Sequence, residues 1–332
     1  LKQKDSRRLR RFLKSNFNFS IRLPEAFPVA FFYCMKKIIV FLSLIVISEL
    51  HAQIDPVKYP TYTDIESALK SEKTVYSMSF REKGLFNIPP QISSLQSVFF
   101  LNLMANNFEK IDEVLFSLQD LQFLNLNENN IKYIPENISK LQKLTSFSMN
   151  LNQLTTVSPQ FGKLKNLKTV YLDANNLNIF PEALTDISGL EEINLSSNQI
   201  SSVYGVQKIR ALKFLNLSSN QISDLKNSEF PSKLKYLELQ KNAITIFPET
   251  ILKLKKLEFL NIGENKITKI SPKIKNMKKL SSLNLANNNL ESLPQEITQL
   301  KNLKTLILNG NPLKKDEVEH FRKQMPETQI YF

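Results

Sequence analysis

The sequence predicts an α/β solenoid. It is expected to be a right-handed, horseshoe-shaped stack with a parallel β-sheet on its concave face, short helical or 3-10 segments on its convex face, and a helical cap at each end. Three observations predict it. First, asparagine recurs at Asn106, Asn129, Asn152, Asn175, Asn198, Asn220, Asn242, Asn265, Asn288 and Asn311, in steps of 23 residues interrupted by two steps of 22. Second, each asparagine closes the same apolar phrase, L-x-x-L-x-L-x-x-N-x-L, as in Leu121, Leu124, Leu126, Asn129, Ile131 and again in Leu280, Leu283, Leu285, Asn288, Leu290. Third, the rest of most repeats carries a proline followed by apolar residues three or four apart. A period in this range marks a stacked repeat.

The strand comes first. In L-x-x-L-x-L the last two leucines alternate with outward positions, so one face is apolar and the other is free. One such strand cannot bury its leucines alone. A copy stacked beside it at about 4.8 Å covers them and pairs the backbones into a parallel sheet. The asparagine follows where the chain turns inward and backbone groups lose their ladder partners. A carboxamide offers both donor and acceptor, so an asparagine column can satisfy those groups. Each buried group left unmet would cost about 1–3 kcal/mol. These asparagines are therefore expected to be scaffold rather than ligands.

The convex segment comes next. Ile134-Pro135, Ile138, Leu141 and Leu144 recur as Phe180-Pro181, Leu184, Ile187 and Leu190, and as Leu293-Pro294, Ile297, Leu300 and Leu303. That spacing predicts a short helical or 3-10 turn opened by proline. Bulky turns on one side and flat strands on the other bend the stack into a horseshoe.

With these motifs in place, the sequence resembles leucine-rich repeat proteins of the 23-residue class, similar to many secreted bacterial members, over roughly residues 63–332. The repeats between Asn198 and Asn242 lack the proline at its usual place, with Val203-Tyr204 and Leu225-Lys226 there instead, and resemble a tighter 22-residue class. The resemblance implies a non-catalytic interaction module, including adhesion or recognition at a cell surface or envelope.

The ends close the stack. Residues 75–313 are read as about eleven repeats, the first degenerate, with Lys83 where asparagine should stand. Residues 53–74 are read as an N-terminal cap. There Thr63 and Glu66 form a capping box that opens a helix to about Lys70, with Ile65, Ala68 and Leu69 as its apolar side. Residues 314–332 are read as a C-terminal cap, with an amphipathic helix from Asp316 to Gln324, Val318 and Phe321 inward, and a last strand over 330–332.

Residues 35–52 read as a signal peptide: Lys36 and Lys37, an apolar run from Ile38 to Ile47, and a small residue, Ala52, at the end. The run is shorter than the roughly 20 residues a membrane span needs. Export is therefore expected, to the periplasm, cell surface or medium, with no stable membrane span in the mature chain. Residues 1–34 carry no repeat and are read as an upstream extension not packed on the solenoid, a basic arm being the other reading.

The formal charge of +13 first suggests a nucleic-acid partner. Residues 1–52 hold seven of those net charges, leaving 34 basic and 28 acidic residues in the rest. The only cysteine, Cys34, precedes the signal peptide, and His51 and His320 lie outside the repeats. No Cys/His nucleophile pair, His-rich metal site or Gly-rich phosphate loop can then line the inner face. No acid has an evident reason for a shifted pKa. The expectation is no enzyme, no cofactor and no metal.

A partner is expected on the concave face, where outward residues stack one per repeat. Phe100, Phe123, Tyr171, Phe214, Tyr236 and Phe259 put aromatic rings there, among amides and few charges. They read either as ordinary filling of such repeats or as anchors for another protein. A second stripe, Lys143, Lys165, Lys233, Lys256, Lys279 and Lys301, falls along one edge. It reads either as a solvated edge or as a site for a glycan or anionic surface polysaccharide. Aromatics and lysines fall on different faces, which speaks against nucleic acid.

Overall fold

A computed structural model describes residues 58–332, of which Tyr59–Phe332 form one compact unit. The upstream extension, the signal peptide and the first residues of the N-terminal cap lie outside the described residues.

The unit is a solenoid built on a parallel sheet of 13 strands. The strands open with β1 (Thr61–Tyr62), β2 (Ser77–Ser79), β3 (Phe100–Asn102) and β4 (Phe123–Asn125). A short β5 (Tyr133–Ile134) precedes β6 (Ser146–Ser148), and a short β7 (Thr156–Val157) precedes β8 (Thr169–Tyr171). The stack continues through β9 (Glu192–Asn194), β10 (Phe214–Asn216), β11 (Tyr236–Glu238), β12 (Phe259–Asn261), β13 (Ser282–Asn284), β14 (Thr305–Ile307) and β15 (Gln329–Tyr331). β5 and β7 pair with each other as a separate two-stranded sheet.

Register follows the repeat: Phe100 pairs Phe123, which pairs Ser146, and Phe214 pairs Tyr236, which pairs Phe259. The middle residue of each strand points into the core. Leu101, Phe147, Val170, Ile193, Leu215, Leu237, Leu260, Leu283 and Leu306 are fully buried. Each such side chain contributes about 1.5–3 kcal/mol of burial, and only because the next repeat covers it.

Nine 3-10 segments form the opposite side among the described residues. In six of them proline opens the segment, as Pro90, Pro159 and Pro272 do, or stands just before it, as Pro135, Pro181 and Pro294 do. Its fixed φ suits that entry. One apolar residue of each segment, such as Ile92, Leu115, Ile138, Leu184, Ile274 or Ile297, is fully buried beneath it.

The 22-residue repeats differ here. After β9 the segment shrinks to Val206–Lys208 and is entered through Gly205 at φ +76°, a backbone that glycine adopts without strain. Between β10 and β11 no 3-10 segment forms. Instead buried Ser228 donates its hydroxyl to the Val203 carbonyl at 2.7 Å, and Phe230 fills the core.

The inner asparagine column hydrogen-bonds as a unit. Asn129 receives the Phe108 N–H on Oδ1 at 3.1 Å and donates Nδ2 to Leu103, Leu126 and Asn127 carbonyls. Asn288 repeats this with Ile267 N–H and the Ile262, Leu285 and Ala286 carbonyls. Asn106, Asn152, Asn175, Asn198, Asn265 and Asn311 are likewise buried. In the 22-residue repeats Asn220 and Asn242 keep the same bonds but are only half-buried.

The residue before each column position is left-handed. Glu82, Ala105, Glu128, Leu151, Ala174, Ser197, Ser219, Lys241, Glu264 and Asn287 all have φ between 53 and 58°. A non-glycine residue there costs about 1 kcal/mol or more. The offset is local: Ala105, Glu128 and Leu151 each donate their N–H to the next repeat, to Asn127, Asn150 and Asp173 carbonyls at 2.9–3.0 Å.

At the N-terminal end the helix α1 spans Ile65–Leu69. Its cap is Asp64, which accepts from Ser67 N–H at 2.7 Å, so the Thr63–Glu66 capping box does not form. Glu66 instead lies exposed near Lys70 at 3.9 Å. Ala68 is buried, but Leu69 is 46% exposed and takes no part in the core. At the other end α2 spans Lys315–Gln324 and buries Val318 and Phe321. Glu317 accepts the Leu293 N–H at 2.8 Å and Arg322 donates to the Ile330 carbonyl at 3.0 Å, tying α2 to the last repeats.

Candidate binding surface

Outward positions of the strands form three columns on the sheet face. The first runs in register through Phe100 and Phe123, then through Phe214, Tyr236 and Phe259. These five rings are half-buried. Phe100 and Phe123 have centroids 6.5 Å apart. Phe214 and Tyr236 lie at 6.5 Å and Tyr236 and Phe259 at 6.4 Å, each pair tilted by about 40°. Consecutive strands therefore present one continuous aromatic ridge over β10–β12.

Tyr171 does not belong to this surface. It is 7% exposed, and its hydroxyl donates to Glu192 Oε2 on the next strand at 2.8 Å. That bond ties the ring down onto the sheet, a cross-strand contact invisible to a column of single letters.

The second column is mostly amide, and its oxygens are already used. Asn102, Asn125, Asn194, Asn216, Asn261 and Asn284 each accept the N–H two residues on, at 2.9–3.3 Å. They close the turn at the end of each strand. The amides are interrupted at Ser148 and Tyr171, and again at Glu238, between Asn216 and Asn261. Burial pushes the Glu238 carboxyl above its ordinary range, opposed by a hydrogen bond from Gln240. That bond, from Gln240 Nε2, measures 2.9 Å. Gln240 Oε1 is buried without a partner among the described residues. In the third column burial raises Asp173 from 3.8 to about 6, while Asn194 Nδ2 donates to it at 3.1 Å. The sequence pattern offered no reason to expect shifted acids; both shifts come from burial of the carboxyls.

The lysines at the strand entrances are all exposed, but they are not equivalent. Lys143 pairs with Asp120 at 2.5 Å. Lys165 spends its ammonium on the Gly162 and Asp186 carbonyls at 2.7 and 2.8 Å. Lys233, Lys256, Lys279 and Lys301 have no acid in ion-pair contact among the described residues. A further aromatic group, missed in the sequence, joins Tyr59, Tyr76 and Phe99 at centroid distances of 5.3–5.9 Å near the N-terminal end.

Among the described residues no group of three or more His, Cys, Asp and Glu is placed to hold a metal. No helix there is long and apolar enough to cross a membrane.

A parallel sheet of one strand per repeat, with an asparagine column behind it and an open face before it, defines a repeat scaffold of the interaction type. The comparisons agree. The model described as "Leucine-rich repeat region" matches residues 193–320, and two further leucine-rich repeat models match 142–200 and 120–141. The chain belongs to the leucine-rich repeat family. No curated protein matches it in sequence. Among solved structures it is similar to a leucine-rich repeat protein of Leptospira interrogans, at 36% identity and TM-score 0.71, covering 78% of this chain and 66% of that one. This chain thus spans just under two thirds of that protein. It also matches the internalin InlF of Listeria monocytogenes at 22% identity and TM-score 0.59, covering 73% and 76% of the two chains. A TDR receptor matches at 23% identity and TM-score 0.68, covering 82% and 49%. The latter two share the fold.

Proposed function

We propose that this is an exported binding module with no chemistry of its own, which holds another protein against its sheet face in adhesion or in recognition at a cell surface or envelope. The observation that carries this reading is the ridge of Phe214, Tyr236 and Phe259. Three half-exposed rings stand in consecutive strands at 6.4–6.5 Å. Exposed aromatic area rimmed by polar groups suits a protein interface. The amide oxygens beside the ridge are taken by backbone N–H groups, so the rings are the groups left to anchor a partner. The signal-peptide pattern at residues 35–52 supports export.

The test is a pull-down with the full chain from envelope and host-surface extracts, beside a bait carrying Phe214→Ser, Tyr236→Ser and Phe259→Ser. A protein retained by the first bait and lost by the second supports the reading. Equal recovery on both removes the ridge from it.

A second reading has its own observation. Residues 251–280 hold nine lysines and two glutamates. Lys273 pairs with Glu249, while Lys256 and Lys279 stand one repeat apart without an acid. A row of like charges at repeat spacing suits a linear anionic polysaccharide. Binding through it falls steeply as salt rises, whereas binding on the ridge changes little.

A further inference from the structure

The ridge reading leaves one group unexplained, and that group narrows the partner. Glu238 follows Tyr236 by two residues on β11, so both side chains leave the same face of the strand about 6.6 Å apart along it. Its in-register neighbours are the neutral Asn216 and Asn261. Neither donates to it; its carboxylate receives one hydrogen bond, from Gln240 Nε2. The nearest lysines along the chain are engaged elsewhere: Lys235 with Glu258 at 3.1 Å and Lys241 with Glu264 at 3.8 Å. A carboxylate accepts at four positions or so, and Gln240 Oε1 adds another acceptor without a donor. The site therefore holds a surplus of acceptors beside three aromatic rings, on a carboxyl whose charged form a cationic partner would stabilise. Aromatic faces attract cations as well. The neighbouring Asn216 and Asn261 spend their oxygens on backbone N–H groups, and the component this site lacks is a cationic donor.

Resting on the ridge reading, we propose that Glu238 receives a cationic side chain, arginine or lysine, from the protein segment that lies on Phe214, Tyr236 and Phe259. The rings hold the apolar stem and neighbouring residues of that segment, and the carboxylate takes the charged head. The complement is specific to this part of the sheet: Phe100 and Phe123 stand beside the amides Asn102 and Asn125, not beside an acid.

The experiment selects peptides from a displayed library of random linear 12-residue sequences on the immobilised full chain. The recovered pool is then measured on wild type, on Glu238→Gln and on the triple ridge variant. Glu238→Gln keeps the shape and an acceptor for Gln240 and removes a poorly compensated charge, so it folds at least as stably, as thermal unfolding will verify. The expected result is a pool enriched in arginine or lysine that loses affinity about tenfold or more on Glu238→Gln and is lost on the ridge variant. Replacing the enriched residue by citrulline or norleucine should weaken binding to wild type and make little difference on Glu238→Gln. A pool that needs the rings but binds Glu238→Gln unchanged overturns the cation site and leaves the ridge reading standing. A pool indifferent to both variants overturns both, and a selection yielding no Glu238-dependent peptide overturns this proposal.

Discussion

Two columns of asparagine follow the repeat in this sheet, one continuous from Asn106 to Asn311 behind the strands and one on their open face, interrupted at Ser148, Tyr171 and Glu238. Asn288 belongs to the inner column and is 3% exposed, bonded to one N–H and three carbonyls. Asn216 belongs to the outer column, is half-buried, and caps the single N–H of Ser218 at 2.9 Å. The side chain is the same and the repeat is the same. What differs is the number of groups stranded if it goes. Periodicity alone therefore marks architecture, and the places where the outer column departs from amide are where function can be sought.

The largest expected effect separates the columns directly. Asn288→Ala leaves several buried backbone groups unmet and should cost about 3 kcal/mol or more. Asn216→Ala frees one N–H at a water-accessible turn and should cost about 1 kcal/mol or less. Urea denaturation followed by circular dichroism compares them, with unfolding of end repeats read separately because a solenoid is nearest-neighbour coupled. Equal losses would erase the distinction between scaffold and surface.

A middle-sized effect belongs to Asp173, the buried acid that follows β8. Unfolded, it ionises near 3.8; folded, burial holds it near about 6. Between those values the folded state keeps a proton that the unfolded state has lost, so stability falls as pH rises from about 4 to about 6 and stays lowered above that. Asp173→Asn retains an acceptor for Asn194 and should remove this loss, raising stability by about 1–3 kcal/mol at pH 7 and leaving it nearly unchanged at pH 3. Matched thermal melts at the two pH values decide it. A variant no more stable at pH 7 would show that Asp173 is well solvated.

Much of this was legible in the sequence, and the reasons for the remainder are physical. Strands, their register and the 3-10 side follow from apolar spacing, because burial by the next copy is what the spacing encodes. The columns of outward residues could be written down for the same reason, Phe214, Tyr236 and Phe259 among them. Whether a column member is free depends on its cross-strand neighbour. Tyr171 is tied to Glu192, Lys165 to carbonyls of its own and the next repeat, and Glu238 is bonded by Gln240 but not by the amides in register on either side. Those are pairwise facts with no period. The cap shows the same limit at short range, since Thr63 and Asp64 both suit an N-cap and only the turn geometry chooses Asp64.

The smallest effect concerns the left-handed turn before each inner asparagine, which left almost no trace in composition. Glu, Ala, Leu, Ser and Lys fill it at φ 53–58°, and only Asn287 and Gly310 are residue types that favour it. The backbone is imposed by hydrogen bonds to the next repeat rather than chosen by the residue. Ala174 donates its N–H to the Ser196 carbonyl at 2.9 Å, so Ala174→Gly should relieve strain while losing backbone order in the unfolded chain's favour, for a net change within about 0.5–1 kcal/mol. Gly310 stands at φ 73°, and a Cβ there would meet Asn287 Oδ1 at 2.1 Å. That side-chain tip can swing away, but the Asn287 Cα at 3.3 Å cannot, so φ strain and a tight backbone contact together should make Gly310→Ala cost about 1 kcal/mol or more. Chemical denaturation of both variants tests whether one turn obeys one rule. If Gly310→Ala is neutral, the last turn is as firmly held by its neighbours as the ten before it, and the glycine there reflects no demand of the backbone.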